Sequence, residues 1–271
     1  MVELTAEELK KCQLDTLKEV HDYCEKNGLT YYMIYGTLLG AVRHKGYIPW
    51  DDDVDIGMPR ADYERFIAEF NKSDSDTAYV VDISTDKDYY LDYAKVCHKK
   101  TLLIEHVHKP SEIGAYIDVF PIDACPADPV QAQKLFDSVR SARKALVKKN
   151  YMAPLDYKLS VKVIAHYIFR FLTFKSRVNI INGINKRGKA FAGYNTGFVM
   201  LAVGTAVLHK SYIPDSYFGN PVPLRFEEYT FNAPAKSDSL LTYWYGDYMT
   251  PPPPEKRISQ HGFKVYWKDS K

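Results

Sequence analysis

Leu9, Leu14, Leu17 and Val20 recur at roughly helical spacing behind Thr5-Ala-Glu-Glu8, a capping box with Thr5 at N-cap and Glu8 at N3, and Asn27-Gly28 ends the pattern. The apolar run at 29–35 predicts a strand, and 36–45 predicts a short helix stopped at Gly46. Residues 53–58 alternate acid and β-branched side chains, the period-2 pattern of a strand. Pro59 suits the first turn of a helix over 60–71. Further strands are predicted over 79–83, 91–97, 101–105 and 115–120. From Asp128-Pro129 to about Lys189 the pattern is helical. Past Tyr194 it mixes again, with a strand predicted over 224–231 and a helix over 237–245. The prolines at 251–254 predict a rigid extended segment, because their φ is fixed and they lack an N–H. The whole reads as α+β: a catalytic core over 1–127, a basic helical insert over 128–190, and a C-terminal return over 191–271 that completes the core and the substrate pocket.

Composition changes this picture little. At 271 residues, 46% hydrophobic and 26% charged, the chain is an ordinary globular one rather than a disordered, collagenous or coiled-coil one. Charge changes it more. The net charge is only +2, yet residues 140–190 hold thirteen Lys or Arg against one acid, Asp156. Such a block suits phosphates, an acidic polymer or an anionic membrane surface, or it is a solvated face balanced by acids elsewhere. Residues 161–174 are apolar but broken by Lys162, His166 and Arg170 at i, i+4 spacing. That pattern predicts a helix too short and too charged to span a membrane, either buried in a bundle or laid on a membrane surface. Residues 190–208 carry no charge, but Gly193, Asn195, Thr196, Gly197, Gly204 and Thr205 mark strands and turns. Cys12, Cys24, Cys97 and Cys125 show no CxxC or zinc spacing, so free thiols in a reducing compartment are expected. The opening Met-Val-Glu-Leu-Thr lacks the pattern of a signal or transit peptide, which predicts a cytoplasmic location.

The chemistry concentrates in GTLLGAVRHKGYIPWDDDVDIGM, residues 36–58. Asp51, Asp52 and Asp53 stand together with Asp55 two further on, and like charges packed so closely call for a cation. On a strand, Asp53 and Asp55 share a face while Val54 and Ile56 point to the core. Two such carboxylates suit Mg²⁺ or Mn²⁺. Asp118 stands alone in the apolar strand Tyr116-Ile-Asp-Val-Phe120, a position costly for a charge without a partner, and a metal shared with Asp53 and Asp55 supplies one. The structural alternatives are N-capping for Asp51 or Asp52 and a salt bridge for Asp118. Gly36-Thr37, at a strand-to-helix junction, forms a candidate phosphate seat. Arg43, His44 and Lys45 could clamp a diphosphate, or simply complement the C-terminal end of the helix dipole.

The order of Gly-Thr, Asp-x-Asp and a later Asp resembles the nucleotidyltransferase superfamily of the polymerase-beta type. The longer run YGTLLGAVRHKGYIPWDDDVDIGMPRADYERF, with YIDVFPID (116–123) and YWYGDYMTPPP (243–253), is similar to one branch of it, the LicD family. The resemblance implies a nucleotidyltransferase-like mixed sheet with flanking helices. It also implies metal ligation by Asp53, Asp55 and Asp118, and transfer of phosphocholine from CDP-choline to a sugar hydroxyl of a teichoic acid or lipopolysaccharide precursor, with CMP released. Some members carry a cysteine-rich zinc insertion, which this chain lacks. Choline is a quaternary ammonium, so its recognition needs aromatic faces. Tyr47 and Trp50 border the acids, and Trp244 and Tyr245, with Tyr243 and Tyr248, crowd the C-terminal motif. With 22 Tyr in the chain, core packing is the competing role for each ring. Asp52 is a candidate for taking the acceptor proton, and the basic block for contact with a lipid-linked acceptor or an anionic membrane. The competing functions are a nucleotidyltransferase using an NTP donor, another phospho-alcohol transferase of the same family, and a binding protein on a retired fold. No nucleic-acid module is recognised.

Overall fold

The computed structural model describes residues 1–104, 111–150, 164, 168, 176–202, 207–257 and 264–268. The predicted helix over 161–174, apart from Ile164 and Ile168, lies outside the described residues, as do 203–206 of the uncharged stretch and Glu105. Helix α1, Ala6–Asn27, begins on the capping box, with both reciprocal bonds formed, and ends on Gly28 at φ 61°. Its Leu14, Leu17, Val20 and Cys24 are buried against the sheet.

Strand β1 is only Tyr32–Met33, because helix α2, Tyr35–Arg43, begins on a Tyr35 held at φ 46°. Strand β2, Asp55–Pro59, starts two residues later than the alternation suggests, and helix α3, Arg60–Glu69, follows at once. Then come β3 (Ala78–Val81), β4 (Ala94–His98), β5 (Thr101–Ile104) and β6 (Tyr116–Ala124). Helices α4, Pro129–Asn150, and α5, Arg177–Gly188, pack on each other through Val139, Leu146, Ile180, Ile181 and Ile184. Beyond them lie β7 (Phe198–Met200), a single turn α6 (Leu208–Ser211) and β8 (Tyr212–Pro214). Residues 224–231 are not one strand. They belong to a hairpin of β9 (Val222–Phe226) and β10 (Tyr229–Ala233), turned at Glu227 with φ 54°. Helix α7 is Ser237–Tyr245, and a closing strand β11, Lys264–Trp267, pairs with β5.

The main sheet has seven strands, in the order β1-β2-β6-β4-β3 with β7 and β8 continuing from the far end of β6. Only β2 and β6 run parallel; their neighbours are antiparallel, as expected for a mixed sheet. Val54, Ile56, Met58, Val96, Ile117 and Val119 sit in its core with Leu38, Phe66 and Phe70 from the helices. Leu201, Ile213, Phe226, Leu240 and Trp244, all from the C-terminal third, belong to the same cluster. Each fully buried aliphatic or aromatic side chain of this kind contributes about 1.5–3 kcal/mol.

Candidate active site

Parallel pairing of β2 with β6 sets Asp55 directly opposite Asp118, and antiparallel pairing of β6 with β4 sets Asp118 directly opposite Lys95. Opposite residues share a face of the sheet. Asp55, Asp118 and Lys95 therefore form one row across three strands, while Ile56 and Val119 turn into the core. The start of β2 is fixed from three sides. The Asp55 amide donates to Thr37 Oγ1 at 2.8 Å, the Ile34 amide donates to the Asp55 carbonyl at 3.1 Å, and the Asp118 amide donates to the Val54 carbonyl at 2.8 Å. Lys95 Nζ donates to Asp118 Oδ1 at 2.7 Å.

Burial, then Asp53, Asp118 and Asp51 in turn, push the Asp55 carboxyl well above the usual carboxylate range, and Lys95 opposes them. Asp51, Asp53, Asp55 and Asp118 are thus one electrostatic unit. Burial and the same acids, Asp55, Asp51 and Asp53, raise the Tyr245 phenol, which places that hydroxyl at the cluster. The Tyr35 phenol is raised by burial first and then by Asp55 and Tyr245. Its ring packs on Trp244 at 4.7 Å and on the edge of Phe120 at 6.0 Å. A left-handed backbone at a tyrosine is uncommon and costs energy that the surrounding packing must offset.

The other sequence-predicted residues fall into three places. Asp53 lies in the loop before β2, not in the ladder, and still bears on Asp55. Asp52 is half-buried, and its carbonyl accepts from Gln13 Nε2 at 2.8 Å, which pins this loop to α1. Gly36 and Thr37 stand at the start of α2. A Cβ on Gly36 would lie 2.6 Å from Asp51 Oδ2, so a carboxylate already fills the space above this residue. Thr37 is buried and spends its oxygen on the Asp55 amide, so it orients an acid rather than presenting a free hydroxyl.

Arg43, His44 and Lys45 are at the other end of α2, about 10 Å away at 1.5 Å per residue. Lys45 Nζ donates to the Val42 carbonyl at 3.1 Å, the helix-terminal role that the sequence left open. Arg43 donates to the Tyr248 carbonyl at 2.7 Å and approaches His44 Nδ1 at 3.4 Å. The His44 ring meets the edge of Trp50 at 6.1 Å, and the Arg257 guanidinium lies 5.3 Å from the Trp50 centroid. Trp50 thus anchors a cationic rim. Trp50, Asp51 and Asp52 also border a cavity of about 290 Å³ that α1 and β11 close with Glu3, Thr5 and Lys10. Tyr47 and Trp244 are packing residues. The Tyr47 hydroxyl donates to the Lys10 carbonyl at 3.0 Å with its ring against Phe226, and Trp244 is buried and donates Nε1–H to the Lys210 carbonyl at 3.1 Å. Of the C-terminal rings singled out, Tyr245 is the one that combines 42% exposure with nearness to the acids.

Lys95, Tyr35, Asp51 and Arg257 belong to the site without having been singled out as binding residues. Lys95 carries the same signal as Asp118, a charge inside an apolar strand. Among the described residues, no three His, Cys, Asp or Glu side chains are drawn together to hold a metal ion as they stand. A larger groove of about 620 Å³, lined by Arg60, Tyr63, Glu64, Asp82 and Lys186, lies beyond the opposite end of β2 and includes none of the clustered acids.

Residues 28–165 match the family model described as "LicD/FKTN/FKRP, nucleotidyltransferase domain", the class of domain that the mixed sheet and its aligned acids define. The chain belongs to the LicD/FKTN/FKRP family. It is 30% identical over 272 residues, covering 98% of this chain and 99% of the relative, to the lipopolysaccharide cholinephosphotransferase LicD of Haemophilus influenzae. It is 33% identical to an uncharacterised Rickettsia prowazekii protein over 46% of this chain and 47% of that one. Over a shorter stretch it is 45% identical to the human ribitol 5-phosphate transferase FKRP, covering 17% of this chain and 10% of that one. Family and full-length relative together make the chain a phosphotransferase.

Proposed function

We propose that this chain transfers phosphocholine from CDP-choline to a sugar hydroxyl of a lipid-linked glycopolymer precursor, of lipopolysaccharide or teichoic acid type, at the cytoplasmic face of the membrane. Similarity to the Haemophilus cholinephosphotransferase over nearly the whole of both chains supports the reaction class. The observation that carries the site is the row of Asp55 and Asp118 in register, with Asp51 and Asp53 pressing on Asp55.

Four carboxylates against one ammonium leave excess negative charge on hard oxygen atoms, the chemistry that suits Mg²⁺ or Mn²⁺ once these side chains draw together around an ion. Asp53, Asp55 and Asp118 would hold the ion. A bound divalent cation offsets charge on a diphosphate and polarises its phosphoryl oxygens. The chain's own groups do the rest. The acceptor hydroxyl oxygen bonds to the choline-bearing phosphorus, the bond from that phosphorus to the bridging oxygen breaks, and CMP leaves with that oxygen. The hydroxyl proton passes to one of these three carboxylates, Asp53, Asp55 or Asp118, or to Asp52 beside them. Arg43 and Arg257 offer positive charge to the departing nucleotide, while burial and then Arg43 lower the His44 imidazole, which stands beside them as a neutral hydrogen-bonding group. Tyr245, 42% exposed as a residue with its phenol set among the acids, offers a π face to a quaternary ammonium, the place Lys210 Nζ approaches to 5.9 Å from the ring centroid.

The similarity to a ribitol 5-phosphate transferase favours a second reading, a polyol in place of choline as the head group. Calorimetric titration decides between them: CDP-choline, CDP-ethanolamine, a CDP-polyol, CTP and CMP, each with and without Mg²⁺. Metal-dependent preference for CDP-choline, weakened in Tyr245→Ala, is the expected result. Preference for the CDP-polyol selects the second reading. Tighter binding of CTP than of any CDP-alcohol indicates a nucleotidyltransferase and overturns both.

A further inference from the structure

Lys95 stands out among the charged residues of the sheet. It is 2% exposed in the middle of β4, with β6 on one side and β3 on the other. Its ammonium lies 2.7 Å from Asp118 Oδ1, 3.2 Å from the centroid of the Tyr116 ring and 5.8 Å from that of Tyr93. Lys95, Tyr116 and Asp118 share one face, since Lys95 opposes Asp118, Cys97 opposes Tyr116, and alternate residues point the same way; Tyr93, just before β4, brings its ring to the same ammonium. Two aromatic faces and a carboxylate therefore enclose an organic cation that belongs to the chain itself. Its charge also reaches Asp55, the next residue in the row. A long flexible side chain would otherwise be free to turn away, and the two rings prevent that.

We infer that Lys95 is a positioning residue: a built-in counter-cation that holds Asp118 in the row and competes with a divalent cation for the acids. The inference rests on the acid cluster being the cation site. A divalent ion entering the row must share Asp118 with a fixed positive charge, so the resting site binds it weakly. The full complement of phosphate oxygens brought by a donor then tips the balance. Lys95 thereby couples cation affinity to donor occupancy. A lysine that only stabilised the sheet would have no such effect on cation affinity.

The test is calorimetric titration of Mn²⁺ into the full chain, wild type against Lys95→Met and Lys95→Gln, with and without CDP-choline. Removing one unit charge a few ångströms from the ion tightens Mn²⁺ binding by roughly tenfold or more in the absence of nucleotide. The gain in Mn²⁺ affinity on adding CDP-choline, large in the wild type, shrinks in both variants. A second measurement needs no substitution: in wild-type protein labelled with ¹³C-lysine, Mg²⁺ titration shifts one buried lysine Cε resonance saturably. Equal Mn²⁺ affinity in wild type and variants, or a lysine spectrum indifferent to Mg²⁺, overturns the inference while leaving the acid-site reading intact. Absence of cation binding in the wild type and in both variants overturns the two together.

Discussion

Asp118 has a fully buried neighbour on either side, Ile117 and Val119, and holds its charge there through Lys95. Asp118→Asn keeps the shape and an acceptor oxygen for Lys95 but removes the charge. Phosphocholine transfer, followed as CMP release, is expected to fall by about 10³-fold, the scale of losing one preorganised electrostatic contact, while the far-ultraviolet circular dichroism stays unchanged. Asp53→Asn is expected to behave alike, because Asp53 presses on Asp55 from outside the ladder. Residue spacing makes the acids legible, since a charge inside an apolar run demands a partner. The same rule marks Lys95, flanked by Ala94 and Val96. That the two charges meet is not legible, because it depends on the register of β4 on β6, which no local pattern encodes. His98 gives a pH signature away from the site. Burial, with Lys100 and Lys11, depresses its imidazole against Asp15, and its Nδ1 has no hydrogen-bond partner. A folded-state pKa below the unfolded value contributes stability that is complete above about 6.5 and is lost as pH falls through the lowered folded value. Melting temperature should therefore fall below about pH 6.5, and His98→Asn should flatten that part of the profile.

Among the elements, β2 is the one on which the site hangs, held at its start by α2 and at its end by α3. Arg60, the first residue of α3, donates Nε–H to Asp123 Oδ1 at 2.6 Å and Nη2–H to Asp123 Oδ2 at 2.8 Å. This fork, 9% exposed on the arginine side, clamps the helix onto the far end of β6. Arg60→Met leaves Asp123 largely buried without its partner. A loss of about 3–5 kcal/mol is expected in urea unfolding, with a smaller effect on donor binding because the acids lie at the other end of the strand. Most helices are legible from caps and periodicity; α7 runs over the predicted 237–245. The strands are less so. Residues 29–35 read as a strand by composition, yet only Tyr32 and Met33 pair, because the chain must bend through a left-handed Tyr35 to start α2 beneath the acids. The hairpin at Glu227 is hidden because an acid pair is a weak turn signal compared with Asn-Gly. Strand β11 is missed because its partner β5 lies more than 150 residues earlier in the chain.

Across the whole molecule, function depends on how the ends of the chain return to the middle. Trp244 from α7 braces Tyr35, β7 extends β6, and Leu4 donates to the Val265 carbonyl beside the cavity at Trp50. The α4–α5 pair stands apart with its own apolar cluster, and its charges divide into two sets. Arg187 and Arg143 are internal ties: Arg187 donates to Ser138 and the Gly183 carbonyl at 2.7 Å each, and Arg143 bonds Asp92. Lys144, Lys148 and Lys186 are exposed, as is Val147 at 67% beside Lys148. No helix among the described residues is long and apolar enough to cross a membrane. Each lysine near an anionic surface contributes about 1 kcal/mol. Replacing Lys144, Lys148 and Lys186 by Glu should therefore lower partitioning onto phosphatidylglycerol vesicles by about 100-fold or more at low salt, with the difference shrinking as ionic strength rises. The three lysines are remote in sequence from every acid of the row. Transfer to a soluble sugar acceptor should thus stay at the wild-type rate, while transfer to a vesicle-borne acceptor falls with partitioning. Unchanged flotation of the triple variant would make this face a solvated one balanced by acids elsewhere, and would move the acceptor contact to the cationic rim around Trp50.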